Sequence, residues 1–390
     1  MLQERGFQRS TRTFRTLAGA ALLLLGAVGA ASPALAAKPV ITQVAAGYGH
    51  SCALDETGQV WCWGANTNGE LGDGTTSTRV TPVRVQGLQN VTQISAGHSH
   101  SCAVLSSGRV KCWGDNAGGQ LGDGTTTDRL TPVRVHHLKG AVQVSAGSHH
   151  SCALLSNGRA KCWGANWQGE LGDGTTTQRM TPVRVHQLLN ASQISTGDYH
   201  SCALLSTGLA KCWGSNSWGQ LGDGTLTERH APVRVHRLSD AVHISTGYYH
   251  SCALLTNGRV KCWGENDEGQ LGDGTKINRD LPGRVHGLSN TTQISAGVFH
   301  SCAVLTNGRA KCWGLNNTGQ LGDGTQTDRL TPVRVHHLQN AVQVSASQFH
   351  SCAVLTNGRT KCWGENGYGQ LGDGTKTNRL TPVRVLFPDI

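Results

Sequence analysis

The 390-residue sequence has few of the residues that build helical domains. Only 2 residues are Met and 15% are charged, whereas Gly occurs 52 times. This composition excludes a coiled coil, a helical solenoid and a charged disordered tail. Runs of Lys and Arg are also absent, so the formal net charge of +10 is weak evidence for a nucleic-acid partner, and we expect none.

Long apolar runs are absent except for one, Leu17 to Ala30, which follows a segment with four Arg. Small residues at the spacing that a signal peptidase requires follow it, at Ala34 and Ala36. We therefore predict a signal peptide at residues 1–37 and a mature domain at residues 38–390. At about 14 residues the run is short for a membrane span, and an uncleaved anchor is the alternative.

The rest of the chain is repetitive. Seven copies of a 50-residue unit follow one another without insertion or deletion, at residues 40–89, 90–139, 140–189, 190–239, 240–289, 290–339 and 340–389. Each copy contains four short apolar or alternating runs separated by Gly, Asn and Asp, which is typical of short antiparallel strands. Four strands repeated seven times predict an all-β fold, a seven-bladed β-propeller.

The second and third runs of each copy predict a β-hairpin with a defined register. In the third copy a three-residue loop that ends in Gly158 joins them, and all seven copies have Gly at this position. Such a loop is a type I turn followed by a left-handed residue. With Leu155 opposite Arg159, Cys152 lies directly opposite Cys162, at a non-hydrogen-bonded position where side chains approach most closely.

The 14 Cys therefore predict one disulfide in each hairpin. The alternative is a zinc site made by one His and two Cys, but this supplies only three ligands and lacks a second Cys-x-x-Cys pair. An export signal and an even number of Cys favour disulfides. The expected pairs are Cys52–Cys62, Cys102–Cys112, Cys152–Cys162, Cys202–Cys212, Cys252–Cys262, Cys302–Cys312 and Cys352–Cys362.

Two further motifs recur in every copy, and we predict that the residues of both have structural roles. Asp73 and its equivalents offer one carboxylate per loop, too few for calcium, and we expect them to pair with the Arg six residues later. We expect His50 and its equivalents to bond to a neighbouring blade. Because a group that occurs seven times is usually scaffold, the sequence predicts no enzyme activity, no cofactor and no metal site.

Two parts of the repeat vary between copies. One is the residue pair before each repeat His, and the other flanks the Asn of Trp-Gly-x-Asn-x-x-Gly; all 5 Tyr fall in them. The hairpin register places both at the end away from the Gly turn, so that a ring of blades gathers them on one face. Aromatic residues anchor interfaces at low entropic cost, which predicts a binding face. Packing between blades is the alternative. The predicted members are Tyr48, His98, Asp115, Trp167, Asp198, Tyr199, Trp218, Tyr248, Tyr249, Asp267, Glu268, Phe299, Phe349 and Tyr368.

The repeat, with Ala-Gly-x-x-His-Ser-x-Ala-Leu and Trp-Gly-x-Asn-x-x-Gly-Gln-Leu-Gly-x-Gly, resembles that of the RCC1 (regulator of chromosome condensation) superfamily. The resemblance implies a seven-bladed propeller. Within the superfamily, nuclear members exchange nucleotide on a Ran-type GTPase and bind chromatin, a plant branch senses ultraviolet light, and a secreted bacterial propeller inhibits β-lactamases through loops on one face. The unbroken period leaves no room for the inserted wedge of the exchange factors.

From these observations we expect an exported, monomeric propeller in the medium or cell envelope that binds a protein partner, for example to inhibit a secreted enzyme. Two alternatives remain open. One is a lectin for a glycan or the cell wall, and the other is a regulator like the guanine-nucleotide exchange factors. The sequence leaves the innermost strand open, and also whether residues 40–44 begin the first blade or complete the last.

Overall fold

The computed structural model describes residues 38–389 as seven four-stranded antiparallel sheets. The predicted signal peptide, residues 1–37, lies outside the described residues. Each sheet is one blade and comes from one 50-residue copy, so the prediction of an all-β, seven-bladed β-propeller is confirmed. Within residues 38–389, no helix combines the length and the hydrophobicity that crossing a bilayer requires.

The strand boundaries repeat from blade to blade with a 50-residue spacing. Blade 1 contains β1 (Ile41–Ala46), β2 (His50–Asp55), β3 (Val60–Gly64) and β4 (Arg79–Arg84), and blade 2 contains β5 (Val91–Ala96), β6 (His100–Leu105), β7 (Val110–Gly114) and β8 (Arg129–Arg134). Blade 3 contains β9 (Ala141–Ala146), β10 (His150–Leu155), β11 (Ala160–Gly164) and β12 (Arg179–Arg184), and blade 4 contains β13 (Ala191–Thr196), β14 (His200–Leu205), β15 (Ala210–Gly214) and β16 (Arg229–Arg234). Blade 5 contains β17 (Ala241–Thr246), β18 (His250–Leu255), β19 (Val260–Gly264) and β20 (Arg279–Arg284). Blade 6 contains β21 (Thr291–Ala296), β22 (His300–Leu305), β23 (Ala310–Gly314) and β24 (Arg329–Arg334), and blade 7 contains β25 (Ala341–Ala346), β26 (His350–Leu355), β27 (Thr360–Gly364) and β28 (Arg379–Arg384).

The first strand of every blade is the innermost. Residues of all seven first strands line one central cavity, and the strands of each blade pair in sequence order from there outward. Gln side chains bridge adjacent first strands: Ile194 N donates to Gln143 Oε1 at 2.9 Å, and Gln143 Nε2 donates to Ile194 O at 3.0 Å. Paired hydrogen bonds of this kind join neighbouring blades around the axis at six of the seven boundaries, and blade 5 has His243 in place of the Gln.

The ring closes without a shared strand. Residues 41–46 form the first strand of blade 1, and blade 7 supplies all four of its own strands. The two blades meet through contacts like those between other neighbours, such as Val44 N donating to Gln343 Oε1 at 2.9 Å. The C-terminal segment adds further contacts between the two ends of the ring. The ring of Phe387 packs edge-on against Trp63, and Lys38 forms an ion pair with Asp389 at 2.7 Å.

A buried Trp fills each interface between blades. Trp163 on β11 is fully buried against Leu121 and Val135 of the preceding blade, and its Nε1 donates to Gln120 O at 2.8 Å. Burying an aromatic side chain of this size contributes about 2–3 kcal/mol. The seven Trp of the Trp-Gly motif therefore pack between blades, as expected.

The repeat His and Ser residues form a second interblade layer. His150 Nε2 and Ser201 Oγ lie 2.8 Å apart, and Ser201 donates its own hydroxyl hydrogen to Glu170 O at 3.0 Å. The imidazole must therefore donate to the serine. Burial lowers the pKa of His150 to about 3, so that it is neutral at ordinary pH. The expectation that these His residues bond to neighbouring blades is confirmed, and His350 with Ser51 completes the ring at 2.8 Å.

The hairpin register is as predicted from the loop. Cys152 pairs directly with Cys162, with a Cα–Cα distance of 4.0 Å, and Gly158 in the turn has a φ of +71°. All seven expected disulfides are present, and no Cys among residues 38–389 is free. Seven intrachain disulfides are typical of proteins that fold in an oxidising compartment.

The Asp–Arg pair organises the loop between the third and fourth strands. Asp173 Oδ1 accepts hydrogen bonds from Thr175 N and Oγ1, and Asp173 Oδ2 accepts one from Arg179 Nε at 3.0 Å. Burial opposes ionisation of Asp173, but the hydrogen bonds from Thr175 and Arg179 outweigh it and hold the pKa below its usual range. The expected pairing is confirmed in every blade.

Candidate functional site

The two variable parts of the repeat adjoin each other in the structure. In blade 1, Ala65 N donates to Gly49 O at 2.8 Å, and in blade 3, Ala165 N donates to His149 O at 2.8 Å. Tyr48, His98, Asp198 and Tyr248 also line one cavity at the mouth of the central axis. We call this end of the propeller, formed by the residue pairs before each repeat His and by the segments equivalent to residues 65–70, the aromatic face.

One cluster of rings on the aromatic face runs across blades 1 to 3. The rings of Tyr48 and His98 lie 4.0 Å apart between centroids. His98 stacks at 6.1 Å on His149, and His149 contacts Trp167 at 5.5 Å. Tyr368 of blade 7 lies beside this cluster, because its ring approaches Gly49.

A second cluster runs across blades 4 to 7. Tyr248 contacts Tyr249 edge-on at 4.2 Å, and both contact Tyr199, at 5.4 and 5.7 Å. Trp218 lies 6.3 Å from Tyr249 at one side. At the other side the chain of rings continues from Tyr248 through two Phe, with centroids 6.2 Å apart at each step; these are Phe299 and Phe349.

These rings pack across blade boundaries and also reach solvent. Trp167 is 57% exposed and Tyr368 is 49% exposed, which is far more than a core aromatic would be. The rings of the second cluster are half-buried. Burial, and then a hydrogen bond with Tyr248, raise the pKa of Tyr199 to about 12. The packing alternative thus describes part of the second cluster, whereas Trp167 and Tyr368 are free to contact a partner.

A carboxylate stands at the mouth of the axis. Ser148 Oγ donates to Asp198 Oδ2 at 3.2 Å. Burial raises the pKa of Asp198 to about 7, and the bond from Ser148 offsets this only in part. The side chain retains some exposed surface, yet the converging blades leave little water around it. A cationic group placed at this mouth would therefore stabilise the ionised carboxylate.

Further carboxylates lie on blade 5. Glu265 is buried and next to Asp267 and Glu268; burial and then repulsion by these two neighbours raise its pKa to about 7. Lys276 Nζ lies 3.8 Å from Glu268 Oε2. Across all seven copies, the segments that form the aromatic face contain eight Asp or Glu and no Lys or Arg.

Asp115 and two residues that the sequence analysis missed support the loops. Asp115 accepts hydrogen bonds from Ala117 N and from Gln120 Nε2, the latter at 2.6 Å, so it holds its own loop in place. Glu70 and Glu170 replace Gln in the first and third copies. Both are buried, and Glu170 accepts a bond from Gln168 N at 2.9 Å, beside Trp167. The sequence feature that could have identified these two residues is the change from Gln to Glu at a position that is otherwise constant.

Within residues 38–389, no cluster of three or more His, Cys, Asp and Glu has a geometry that could hold a metal ion. The His that the sequence offered as a zinc ligand bonds to Ser, and the two Cys beside it bond to each other. The chemistry of the aromatic face is that of apolar contact, hydrogen bonding and negative charge.

Fold and surface together define a disulfide-linked seven-bladed propeller with an aromatic, acidic face. The chain belongs to the RCC1-like domain family, whose model matches residues 25–347. Models of the regulator of chromosome condensation (RCC1) repeat also match residues 341–370 and 357–389.

Among curated proteins, the chain is 45% identical over 49 residues to the E3 ubiquitin-protein ligase HERC2 of Homo sapiens and of Mus musculus. The match covers 13% of this chain and spans only 1% of the length of those relatives.

Solved structures show the same fold. Human WBSCR16 superimposes with a TM-score of 0.73 at 24% identity, over 80% of this chain and 86% of that one. Prp20p from Saccharomyces cerevisiae, studied for its binding to Gsp1p and histones, superimposes with a TM-score of 0.74 at 22% identity, over 90% of this chain and 87% of that one. The ectodomain of the Arabidopsis thaliana receptor kinase ACR4 gives a TM-score of 0.52 at 21% identity, over 89% of this chain and 99% of that one. At these identities the likeness concerns the fold alone.

Proposed function

We propose that this protein is an exported, non-enzymatic propeller that binds a protein partner through its aromatic face. The observation that carries the proposal is the pair of ring clusters on that face, which differ from blade to blade while the scaffold beneath them is constant. Rigid, partly exposed aromatic side chains are the usual anchors of protein interfaces.

The charges of the aromatic face indicate the chemistry of the partner. Asp198 and Glu265 both have a pKa of about 7 because burial, and for Glu265 also its acidic neighbours, oppose ionisation. A Lys or Arg of a partner would relieve this cost on binding. The expected partner surface is therefore apolar and basic.

The family supports protein binding as the class of function. Yeast RCC1 (Prp20) has been crystallised bound to Kap60, and Prp20p has been characterised for its binding to Gsp1p and histones. Those partners belong to those proteins. For this chain, the predicted signal peptide and the disulfides favour a partner outside the cell, and inhibition of a secreted or envelope enzyme is one form that binding would take.

A glycan or cell-wall lectin is the second candidate, favoured by the exposure of Trp167 and Tyr368, since flat aromatic rings also stack on sugars. A regulator like the guanine-nucleotide exchange factors is the third candidate. Localisation separates it from the others, because the substrate GTPases of such factors are intracellular.

The test is capture from culture medium and envelope extract with immobilised protein, beside binding to cell-wall polysaccharide. The wild-type protein should retain a protein that Trp167→Ala retains poorly. Asn157→Asp, in a hairpin turn at the opposite end, is the matched control and should retain it fully. Binding to polysaccharide with no captured protein would support the lectin instead.

A further inference from the structure

The opposite end of the propeller carries a concentrated positive charge. It is formed by the hairpin turns, equivalent to residues 55–61, and by the linkers between blades, equivalent to residues 84–90. These segments contain 20 Lys or Arg against four Asp or Glu, whereas the aromatic face has the reverse bias. We call it the basic end. Turns and linkers lie together there, because Ala141 N donates to Gly108 O at 3.0 Å and Ser156 N donates to Gly140 O at 2.9 Å.

The cations of the basic end oppose one another across strands. Lys161 on β11 lies directly opposite Arg184 on β12, and the same Lys–Arg pairing occurs in each of blades 2 to 7. Like charges directly opposite one another destabilise a sheet. Lys161 Nζ finds only a backbone partner, His137 O, at 3.0 Å.

Carboxylates do not neutralise these pairs. Among the ion pairs within residues 38–389, none involves a Lys or Arg of the turn and linker segments. The Arg residues at the ends of the fourth strands, such as Arg184, are exposed in all seven blades. An uncompensated repulsion that is repeated six times is expected where a site serves function rather than stability.

Aliphatic side chains are exposed at the same end, nearer the axis. Val142, Val242 and Val342 are 53%, 51% and 50% exposed. Each sits at a β-bulge of an innermost strand, where the register shifts, as between Ala141 and Gln143, and leaves Val142 unpaired. Blades 1, 2 and 6 have Thr at this position, and its hydroxyl donates back to a backbone carbonyl, as Thr92 Oγ1 does to Val104 O at 3.3 Å.

We propose that the basic end docks the protein on an anionic membrane surface. The Lys and Arg pairs would bind headgroup phosphates, and the exposed valines would enter the boundary between headgroups and acyl chains. Positive charge together with exposed aliphatic groups is the combination that holds proteins at the surface of anionic bilayers. The inference goes beyond the proposed function and does not rest on it, because it concerns the other end of every blade.

A membrane fits these observations better than a nucleic acid does. Binding of single strands relies on exposed aromatic rings on which bases stack. The Trp and Phe side chains of the basic end, Trp61 and Phe387, are buried and pack against each other, so the exposed rings there are only imidazoles of the linkers, such as His136 and His137. If the site bound polyanions by charge alone, the exposed valines would not contribute to binding. Replacing the valines therefore distinguishes a membrane from a soluble polyanion.

The experiment is co-sedimentation with vesicles of phosphatidylcholine, with or without phosphatidylglycerol. The wild-type protein should bind the anionic vesicles, bind neutral vesicles at least about tenfold more weakly, and lose binding as salt rises. The variant Lys161→Thr/Arg184→Thr/Lys261→Thr/Arg284→Thr should lose at least about tenfold in partitioning. Its melting temperature should be unchanged or higher, because the substitutions remove repulsion.

The second arm is Val142→Thr/Val242→Thr/Val342→Thr, which introduces the residue that three other blades already have. Partitioning onto anionic vesicles should fall several-fold, while binding to soluble polyphosphate stays the same. Asp198→Asn/Glu268→Gln, on the aromatic face, is the control and should leave vesicle binding unchanged. Equal binding to neutral vesicles would overturn the proposal. So would a valine variant that binds vesicles like the wild type, because the site would then recognise charge alone, as on a soluble polyanion or nucleic acid.

Discussion

The two ends of each blade are built from the same strands, but their residues differ between the seven copies to very different extents. At the basic end, copies 2 to 7 repeat nearly the same turn and the same Lys, so that the surface is close to uniform around the ring. At the aromatic face, every copy carries a different residue pair before its His. A uniform surface suits an extended partner such as a bilayer, whereas a surface that differs from blade to blade suits one partner in one orientation.

The layers between the two ends explain why they can differ. The Trp, His, Ser and Cys residues of every copy occupy the same buried positions, and they join each blade to the next by the same contacts. Substitutions at either end leave these layers intact. Variants or conditions that change a buried layer without changing either end therefore test this difference.

Acid should affect the buried layer most. Burial lowers the pKa of six repeat His residues to about 3, and that of His100 well below its usual value. In the unfolded chain these imidazoles take up protons below pH about 6.5, whereas in the folded protein six of them stay neutral until pH falls to about 3. The stability that the neutral His layer contributes is therefore fully present above pH about 6.5 and is lost as pH falls below that value.

Denaturant unfolding at a series of pH values between 7 and 4 would measure this loss. Removal of one imidazole, as in His150→Gln, should lower stability at pH 7 but make its pH dependence shallower. A free energy of unfolding that is flat between pH 6.5 and 4.5 would contradict the account of the His layer.

Trp163→Ala should destabilise the fold by about 3–5 kcal/mol, because it leaves a cavity between blades 2 and 3 and removes one of the two hydrogen bonds that Gln120 O accepts. Trp167→Ala is the matched control, four residues away but 57% exposed, and should cost less than about 1 kcal/mol. Urea unfolding of both variants checks the pair. Equal destabilisation by the two would mean that the aromatic face is part of the core.

Replacing Cys152 and Cys162 with Ser should lower stability by somewhat under about 3 kcal/mol, because the bridge closes a loop of only ten residues. Strand pairing does not depend on the bridge, so the far-ultraviolet circular dichroism spectrum should stay the same. Melting curves with and without reductant measure how much all seven bridges together contribute to stability. Loss of the sheet signal on reduction would show that the bridges hold the ring together.

Much of the fold followed from the sequence because its rules are local. A three-residue loop with Gly at its third position determines the hairpin register, and the register places Cys152 against Cys162. The innermost strand did not follow, because it depends on contacts between neighbouring blades. The closure of the ring did not follow either, because it depends on contacts between the two ends of the chain. The contact between Phe387 and Trp63, for example, joins residues more than 300 positions apart.

The candidate site was predictable in position but not in environment. Alternation along the hairpin places Trp167 and Tyr199 at the same end of their blades. Only the ring of blades determines that Trp167 is exposed while Tyr199 packs against Tyr248 and Tyr249. Burial of Asp198 likewise arises from the convergence of the blades at the axis.

Partner affinity and melting temperature, measured on four single variants, decide whether the aromatic face is a binding site. These are Trp167→Ala, Trp218→Ala, Tyr248→Ala and Tyr249→Ala. We predict a loss of about 2 kcal/mol in binding free energy for each, with little change in melting temperature for the exposed Trp167 variant. Melting temperatures that fall by several degrees in all four, with affinity lost only in proportion to unfolding, would contradict the claim.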